Sequence, residues 1–388
     1  MIVTLKDITT KITKGTTPTS IGCKFEKSGI NFIKSESLVD GKTIDKSKFA
    51  FISERTHERL KRSQIEENDI LFSMAGMFLG KTGIATAEVV PANTNQAVAI
   101  IRVDDTKANY EYVYYYLNQK SVIHTINTTS AQSAQPNINL KQIGEIKINL
   151  PDRKKQDQIV SLLSAIDLKI SNNVEINDNL EQQAAALFSS LYNRSNTEVR
   201  YTDLIQILGG GTPKTGETAY WNGNIAFFTP KDVGTPYTFI TEKTITEEGL
   251  SHCNSRLYPV NTVFVTARGT VGKVGLSGVP MAMNQSCYAL VGKETHQLLV
   301  YFYTLKAVDR LKHKASGAVF DAITTRDFDS EQIMKLSDDD AKAFLCVAEP
   351  MFQEMLNNSI ENLRLSTLRD FLLPKLMSGE IDVSSVQL

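Results

Sequence analysis

Gly15-Thr16-Thr17-Pro18 returns later in the chain as Gly210-Gly211-Thr212-Pro213. Ile30-Asn31-Phe32-Ile33 returns as Ile225-Ala226-Phe227-Phe228. Asp69-Ile70-Leu71-Phe72-Ser73-Met74-Ala75-Gly76 aligns with Asn261-Thr262-Val263-Phe264-Val265-Thr266-Ala267-Arg268. Gly80-Lys81-Thr82-Gly83 aligns with Gly272-Lys273-Val274-Gly275, and Asn95-Gln96 with Asn284-Gln285. The offset drifts downward along the chain, as a duplication does after small loop insertions and deletions. Short repeats build solenoids, whereas a repeat this long is a whole domain with its connector, made twice.

The bulk numbers agree with two domains. A chain of 388 residues exceeds one ordinary core, and 41% hydrophobic with 22% charged residues describes a soluble globular protein. No apolar run reaches the roughly 18–20 residues a membrane helix needs, and Met1-Ile2-Val3-Thr4-Leu5-Lys6 lacks the layout of a signal peptide. Cys23, Cys253, Cys287 and Cys346 have neither metal-type nor disulfide-type spacing, which points to reduced thiols and a cytoplasmic location. The net charge of -1 is less basic than that of a usual nucleic-acid binder, so a DNA-binding role would need a partner's phosphate contacts or clustering of basic residues on one face.

Within the first copy, residues 30–33, 69–72 and 98–103 read as strands, and 54–65 and 110–125 as helices. The second copy repeats this order, with strands at 225–228, 262–266 and 286–291 and a helix over 297–313. Strands and helices interleave without a regular βαβ rhythm, which predicts an α+β fold.

A long helix follows each copy. After Leu150-Pro151, apolar or small residues fall at 163, 166, 170, 180, 184, 187 and 191, with Asn173 and Asn177 filling the gaps. Steps of three and four then alternate without a break, which is a heptad seam. Adding 185 to each number gives Ala348, Met351, Met355, Asn358, Asn362, Leu365, Arg369, Leu372 and Leu376. The matching seams predict that the helices pair antiparallel, through Leu163, Ile166, Ile170, Asn173, Asn177, Leu180 and Leu187 on one side. Met351, Met355, Asn358, Asn362, Leu365 and Leu372 supply the other side. An Asn in such a seam fixes register at a cost in stability. Pro374 is expected to stop the second helix. The alternative is that each helix caps its own domain. A helix over residues 156–193 would be on the order of 57 Å long.

The predicted divisions are a first domain at 1–150, a spacer helix at 151–195, a second domain at 196–337, and a second spacer helix with tail at 338–388. The chain contains no P-loop, no Gly-x-Gly-x-x-Gly fingerprint and no Asn/Asp-Pro-Pro-Tyr/Phe segment of adenine methyltransferases. Its five histidines stand isolated, and Glu145-Ile146-Lys147 lacks the upstream Pro-Asp of a nuclease. No catalytic or metal-ligating group is expected.

A chain of repeated domain and long helix, twice over, resembles the specificity subunit of type I restriction–modification enzymes. The resemblance rests on the two Gly-Thr-Pro segments and the Gly80-Lys81-x-Gly83 and Gly272-Lys273-x-Gly275 loops. Connector segments add Gln156-Asp157-Gln158-Ile159, Ile166-Asp167-Leu168-Lys169-Ile170 and Leu372-Leu373-Pro374-Lys375-Leu376-Met377-Ser378-Gly379-Glu380-Ile381. Leu336-Ser337-Asp338-Asp339-Asp340 departs from the Leu-Pro and Gln-rich opening expected at the second connector. The resemblance implies two target-recognition domains separated by a pair of antiparallel coiled-coil helices. Each domain would read one half of a bipartite, asymmetric stretch of double-stranded DNA. The helices would set half-site spacing, at most about 17 base pairs for a ~57 Å rod, and dock two modification (methyltransferase) subunits. S-adenosylmethionine, ATP and Mg would sit on those and on restriction subunits, leaving this chain a non-catalytic reader without cofactors. A coiled-coil scaffold with two domains for peptides or glycans is the competing class.

Groove-reading chemistry recurs at matched places. Ser73, Met74 and Lys81 follow one strand, and Thr266, Arg268 and Lys273 follow its counterpart; Arg268 is the first candidate for base reading. Lys14 and Lys214 are candidates for positioning on the phosphate backbone, and Thr16, Thr17 and Thr212 beside them for DNA contact. The polar loop 130–137 contributes Gln132, Ser133, Gln135 and Asn137, matched loosely by 316–326 with Arg326. Glycines beside these residues either admit phosphate or make tight turns. Asn95 and Asn284 are expected to hold a turn.

Overall fold

The computed structural model describes every residue except Asp40, 131–136, Thr235, 315–321 and 384–388, and the side chains at 129 and 130. The chain forms two compact units: Met1–Lys169 with Arg364–Leu388, and Ile170–Leu363.

The first unit opens by pairing its first strand, Ile2–Thr4, with Lys147–Asn149 near the end of the domain. A four-stranded antiparallel sheet follows, in the order Thr9–Lys14, Val98–Val103, Ile70–Ser73, Thr82–Ile84. A second sheet has the order Ala50–Ile52, Ile30–Ile33, Ala92–Thr94, Gln64–Ile65, and its central pair is parallel. The second unit repeats all three. Thr197–Arg200 pairs with Gln332–Lys335. Ile205–Gly209, Cys287–Gly292, Val263–Thr266 and Val274–Ser277 lie in that order, with Tyr237–Thr238 added in parallel at the edge. Lys243–Ile245, Trp221–Phe228 and Met281–Met283 form the second sheet, with the same parallel pair. The architecture is α+β, as the irregular rhythm predicts.

The long helices span Arg153–Arg194 and Asp338–Ser378. Asp152 caps the first, accepting from Lys155 N at 3.0 Å. The departure at 336–340 is itself a helix start: the Ser337 hydroxyl accepts from Asp340 N at 3.1 Å, and Asp338, Asp339 and Asp340 fill the first turn, where the helix dipole favours negative charge. In the first unit Leu163 and Ile166 are buried and Leu365 and Leu372 half-buried, while Asp167 pairs with Arg369 at 2.9 Å. In the second unit Asn173 donates to Asn362 Oδ1 at 2.9 Å and to Glu361 at 2.8 Å. Asn358 donates to Asn177 Oδ1 at 3.0 Å, and Asn362 reaches the Ile170 carbonyl at 3.3 Å. Partner numbers rise on one helix as they fall on the other, so the segments in each unit run antiparallel. Met355 is buried there and Leu180, Leu187 and Met351 are half-buried. Among the described residues no helix is long and apolar enough to cross a membrane.

Four expectations need correction. The helix expected over 54–65 ends at Arg59, and Gln64–Ile65 is instead an edge strand on Ala92–Thr94, because Ile65 buries its side chain in that sheet. The helix expected over 110–125 is two, Tyr110–Leu117 and Lys120–Ser130. At the break Asn118 turns its side-chain amide onto the Tyr114 carbonyl at 2.8 Å, giving the helix end a cap. Pro374 does not stop the second long helix. Burial of Leu373, Leu376 and Met377 offsets the hydrogen bond that proline removes, and the terminator is Gly379, in the left-handed region at φ 82°.

Arg369, placed in the seam by its spacing, stands there as half of an ion pair with Asp167. Last, the alignment of the strand at 70–73 is off by one. Asn68 and Asn261 share φ 68°, Ile70 pairs with Ile84 as Val263 does with Leu276, and Ser73 N bonds Lys81 O as Thr266 N bonds Lys273 O. Ser73 therefore matches Thr266, Met74 matches Ala267, and Ala75 matches Arg268. Side chains alternate along a strand, so a one-residue slip exchanges inward for outward positions.

Candidate nucleic-acid interface

Antiparallel pairing brings three loops to one end of the first unit's sheet. Lys14 pairs with Ala99, Ser73 with Val98 and Phe72 with Thr82. Loops 14–18, 74–81 and 94–97 therefore leave from the same edge. They are bound to one another: Thr16 N donates to Thr94 O at 3.0 Å and Met74 N to Ala97 O at 2.8 Å. Gly80 N donates to Ser73 O at 3.0 Å, and Ile138 N to Met74 O at 2.9 Å. The Thr17 hydroxyl meets the Gln96 amide oxygen, and Asn95 Oδ1 accepts from Ala97 N at 3.0 Å.

The second unit reproduces this frame bond for bond. Gly211 N donates to Met283 O at 3.1 Å, Ala267 N to Ser286 O at 2.8 Å, Gly272 N to Thr266 O at 2.9 Å and Ile323 N to Ala267 O at 2.9 Å. The Thr212 hydroxyl meets Gln285, and Asn284 Oδ1 accepts from Ser286 N at 3.0 Å. Asn95 and Asn284 thus hold turns. The Gly-Thr-Pro and Asn-Gln segments, far apart in sequence, are two faces of one junction in each unit. Gly15 and Gly210 are required by that junction: a Cβ would lie 1.9 Å from Thr94 O and 2.2 Å from Asn284 O. Gly76, Gly80, Gly269 and Gly272 all have left-handed φ, as their turns require.

The candidate residues fall into three groups. Lys14, Thr212, Lys214, Arg268, Lys273, Asn137 and Arg326 are exposed, and Thr16, Thr17 and Lys81 half-buried. Arg268 and Asn137 also anchor their loops through matched backbone bridges, to Ala322 and Ala75. Ser73, Met74 and Thr266 are buried. Both faces of these central strands are covered, so the residues that end them lie beneath the loops; Thr266 accepts from Lys273 N at 2.9 Å and so shapes the turn that Lys273 leaves. Gln132, Ser133 and Gln135 lie outside the described residues.

Two residues absent from the sequence reading join the surface. Arg62 donates to the Thr16 hydroxyl at 3.2 Å, adding a cation beside Lys14. Met77 stands 88% exposed on the 74–81 loop. In the sequence it is one more apolar residue among Leu71, Phe72, Phe78 and Leu79, and only the flanking Gly76 hints that it leaves the core.

The model of the type I restriction modification DNA specificity domain matches residues 1–182 and again 193–335. The specificity subunit of the Haemophilus influenzae type I restriction enzyme HindI is 23% identical over 355 residues, covering 70% of this chain and 77% of that one. The Escherichia coli EcoR124I/EcoR124II specificity subunit is 27% identical over 234 residues, 55% of this chain and 54% of that one. The crystal structure of a type I restriction-modification S subunit from M. genitalium shares the fold, with a TM-score of 0.58 at 15% identity over 97% of this chain and 95% of that one. With the domain matched twice over most of its length, the chain belongs to the family of type I restriction–modification DNA specificity subunits.

Proposed function

We propose that this chain is the non-catalytic reader of a type I restriction–modification complex, each unit recognising one half of a bipartite, asymmetric site in double-stranded DNA. The observation that carries this is the loop frame built twice from matched residues but fitted with different exposed side chains. Two readers of one kind with different tips suit two half-sites of different sequence. Lys14, Arg62, Lys214 and Lys273 supply backbone contacts that fix register, and Arg268 offers a bidentate donor to guanine in the major groove. The paired helices set the gap between half-sites and dock two modification subunits. Those partners carry S-adenosylmethionine, and restriction subunits carry ATP and Mg, in the cytoplasm. The near-neutral charge of the chain fits a reader whose partners share the phosphate contacts. A scaffold for peptides or glycans is not favoured, since no observation calls for one.

Co-expression with the cognate modification subunit, followed by mapping of methylated adenines, tests this. One motif of two defined halves around a fixed unspecified gap is expected. A continuous motif, or none, overturns the reading. Methyl transfer by the chain alone with S-adenosylmethionine would contradict its non-catalytic role.

A further inference from the structure

Residues 74–80 and 267–272 are one turn built twice. Gly76 and Gly269 have φ 70° and 81°, and Gly80 and Gly272 have φ 85° and 74°. The hydrogen bonds that hold the two turns to their sheets also correspond. What each turn presents to solvent does not. In the first unit Met74 and Leu79 fold inward at 6% and 8% exposure, leaving Met77 outside at 88%. In the second unit the residue matched to Met77 is Thr270, whose hydroxyl is tied to the Pro230 carbonyl at 3.0 Å and whose own carbonyl accepts from the Thr266 hydroxyl. Thr270 is exposed but tied down; the outward charged group there is Arg268, which makes no ion pair among the described residues and stands where the first unit has Ala75.

Resting on the DNA-reading function above, we propose that these two turns read opposite chemistry: Met77 packs on a thymine 5-methyl group in one half-site, and Arg268 bonds a guanine in the other. A thioether side chain has no strong donor or acceptor to offer, and the apolar feature of a major-groove base edge is the thymine methyl. The guanidinium is the complement of guanine O6 and N7. Both turns are bound at their two ends, and the second also at Thr270, so the backbone that carries each tip is set before DNA arrives.

The test uses the full chain assembled with its modification subunits and duplexes carrying the motif that methylation mapping returns. Each thymine in turn is replaced by uracil, which removes only the 5-methyl group. The wild-type complex is expected to lose roughly fourfold in affinity at one thymine of one half-site, the value of one buried methyl. Met77→Ala should bind the thymine duplex as weakly as the uracil one, and Met77→Leu should keep part of the difference. Arg268→Ala should leave that thymine response intact and lose about tenfold in discrimination at one G·C pair of the other half. A two-part motif with no uracil-sensitive thymine, or a Met77→Ala complex that still responds to uracil, overturns the proposal while the reading function stands. Absence of a two-part motif in the wild type overturns the reading function, and this inference with it.

Discussion

At matched positions of the two units the same space is filled by unlike chemistry. In the first unit Asp167 on the central helix pairs with Arg369 at 2.9 Å and accepts from the Tyr115 hydroxyl at 2.5 Å. The corresponding residues of the second unit are Phe352, Ala184 and Phe302, because Val113 N bonds Asn109 O as Val300 N bonds His296 O at the start of the matching helix. Phe352, Ala184 and Phe302 are buried, and the Phe302 ring meets Phe352 edge-on at 5.7 Å. The neighbouring Tyr301 donates its hydroxyl to Glu181 on the central helix at 3.0 Å. The backbone thus tolerates a charged triad or an aromatic wedge at one point of contact between domain and helix. An ion pair in such a place is neither required nor strongly stabilising in itself, but removing one partner strands the other.

The comparison can be broken most severely at Phe352. Phe352→Ala should cost about 3–5 kcal/mol, as for other large core aromatics, because the side chain touches Tyr237, Tyr301 and Phe302. Urea unfolding measures it, and a loss below about 1 kcal/mol would mean that this wedge is not part of a packed core. Arg369→Ala in the first unit should cost less, roughly 1–3 kcal/mol, since Asp167 loses its partner but keeps some contact with water. The sharper version copies the second unit into the first: Asp167→Phe combined with Arg369→Ala should restore most of that loss. Failure of the pair to improve on Arg369→Ala would show that the two sites are not interchangeable.

Smaller effects follow within the second unit. Asn358→Ala removes the donor to Asn177 and should cost about 1–2 kcal/mol, again read by urea unfolding. The smallest concerns Glu181, whose carboxyl is pushed above the ordinary glutamate range by burial, with the Tyr301 hydroxyl opposing. Because the folded state holds that proton more tightly than the unfolded chain, the stabilisation is complete below the ordinary value, about 4.3, and is lost as pH rises through the higher folded one. Glu181→Gln should flatten stability against pH over that window; an unchanged slope would place the titration elsewhere.

Local pattern revealed what local pattern controls. The heptad steps mark the long helices because a 3.6-residue period must show in the sequence, and the Asn pairs recur at the same register because a seam admits polar groups at few places. The Gly-Thr-Pro and Asn-Gln landmarks repeat because the junction leaves no room for a Cβ at Gly15 or Gly210. Similarity between strands was a poorer guide. Alternating apolar residues align almost as well one residue out, so sequence similarity puts Met74 opposite Thr266, whereas its hydrogen bonds to Ala97 and Ile138 make it the counterpart of Ala267. The exposure of Met77 left no local trace, since it follows from how neighbouring residues tuck inward. Asp167 and Arg369 lie 202 positions apart, and neither residue announces the other.

The first unit draws Leu373, Leu376 and Met377 into the same core as Leu5, Ile148 and Leu163. Its clasp is therefore made from chain that follows the whole of the second unit. During synthesis the second unit, continuous in sequence, can condense as soon as residue 363 has emerged. The first unit begins earlier but must wait with its apolar faces open until residues 364–378 return to it. The part of the chain made first is the part finished last, which gives the nascent protein a long interval of exposure to chaperones or to a partner subunit.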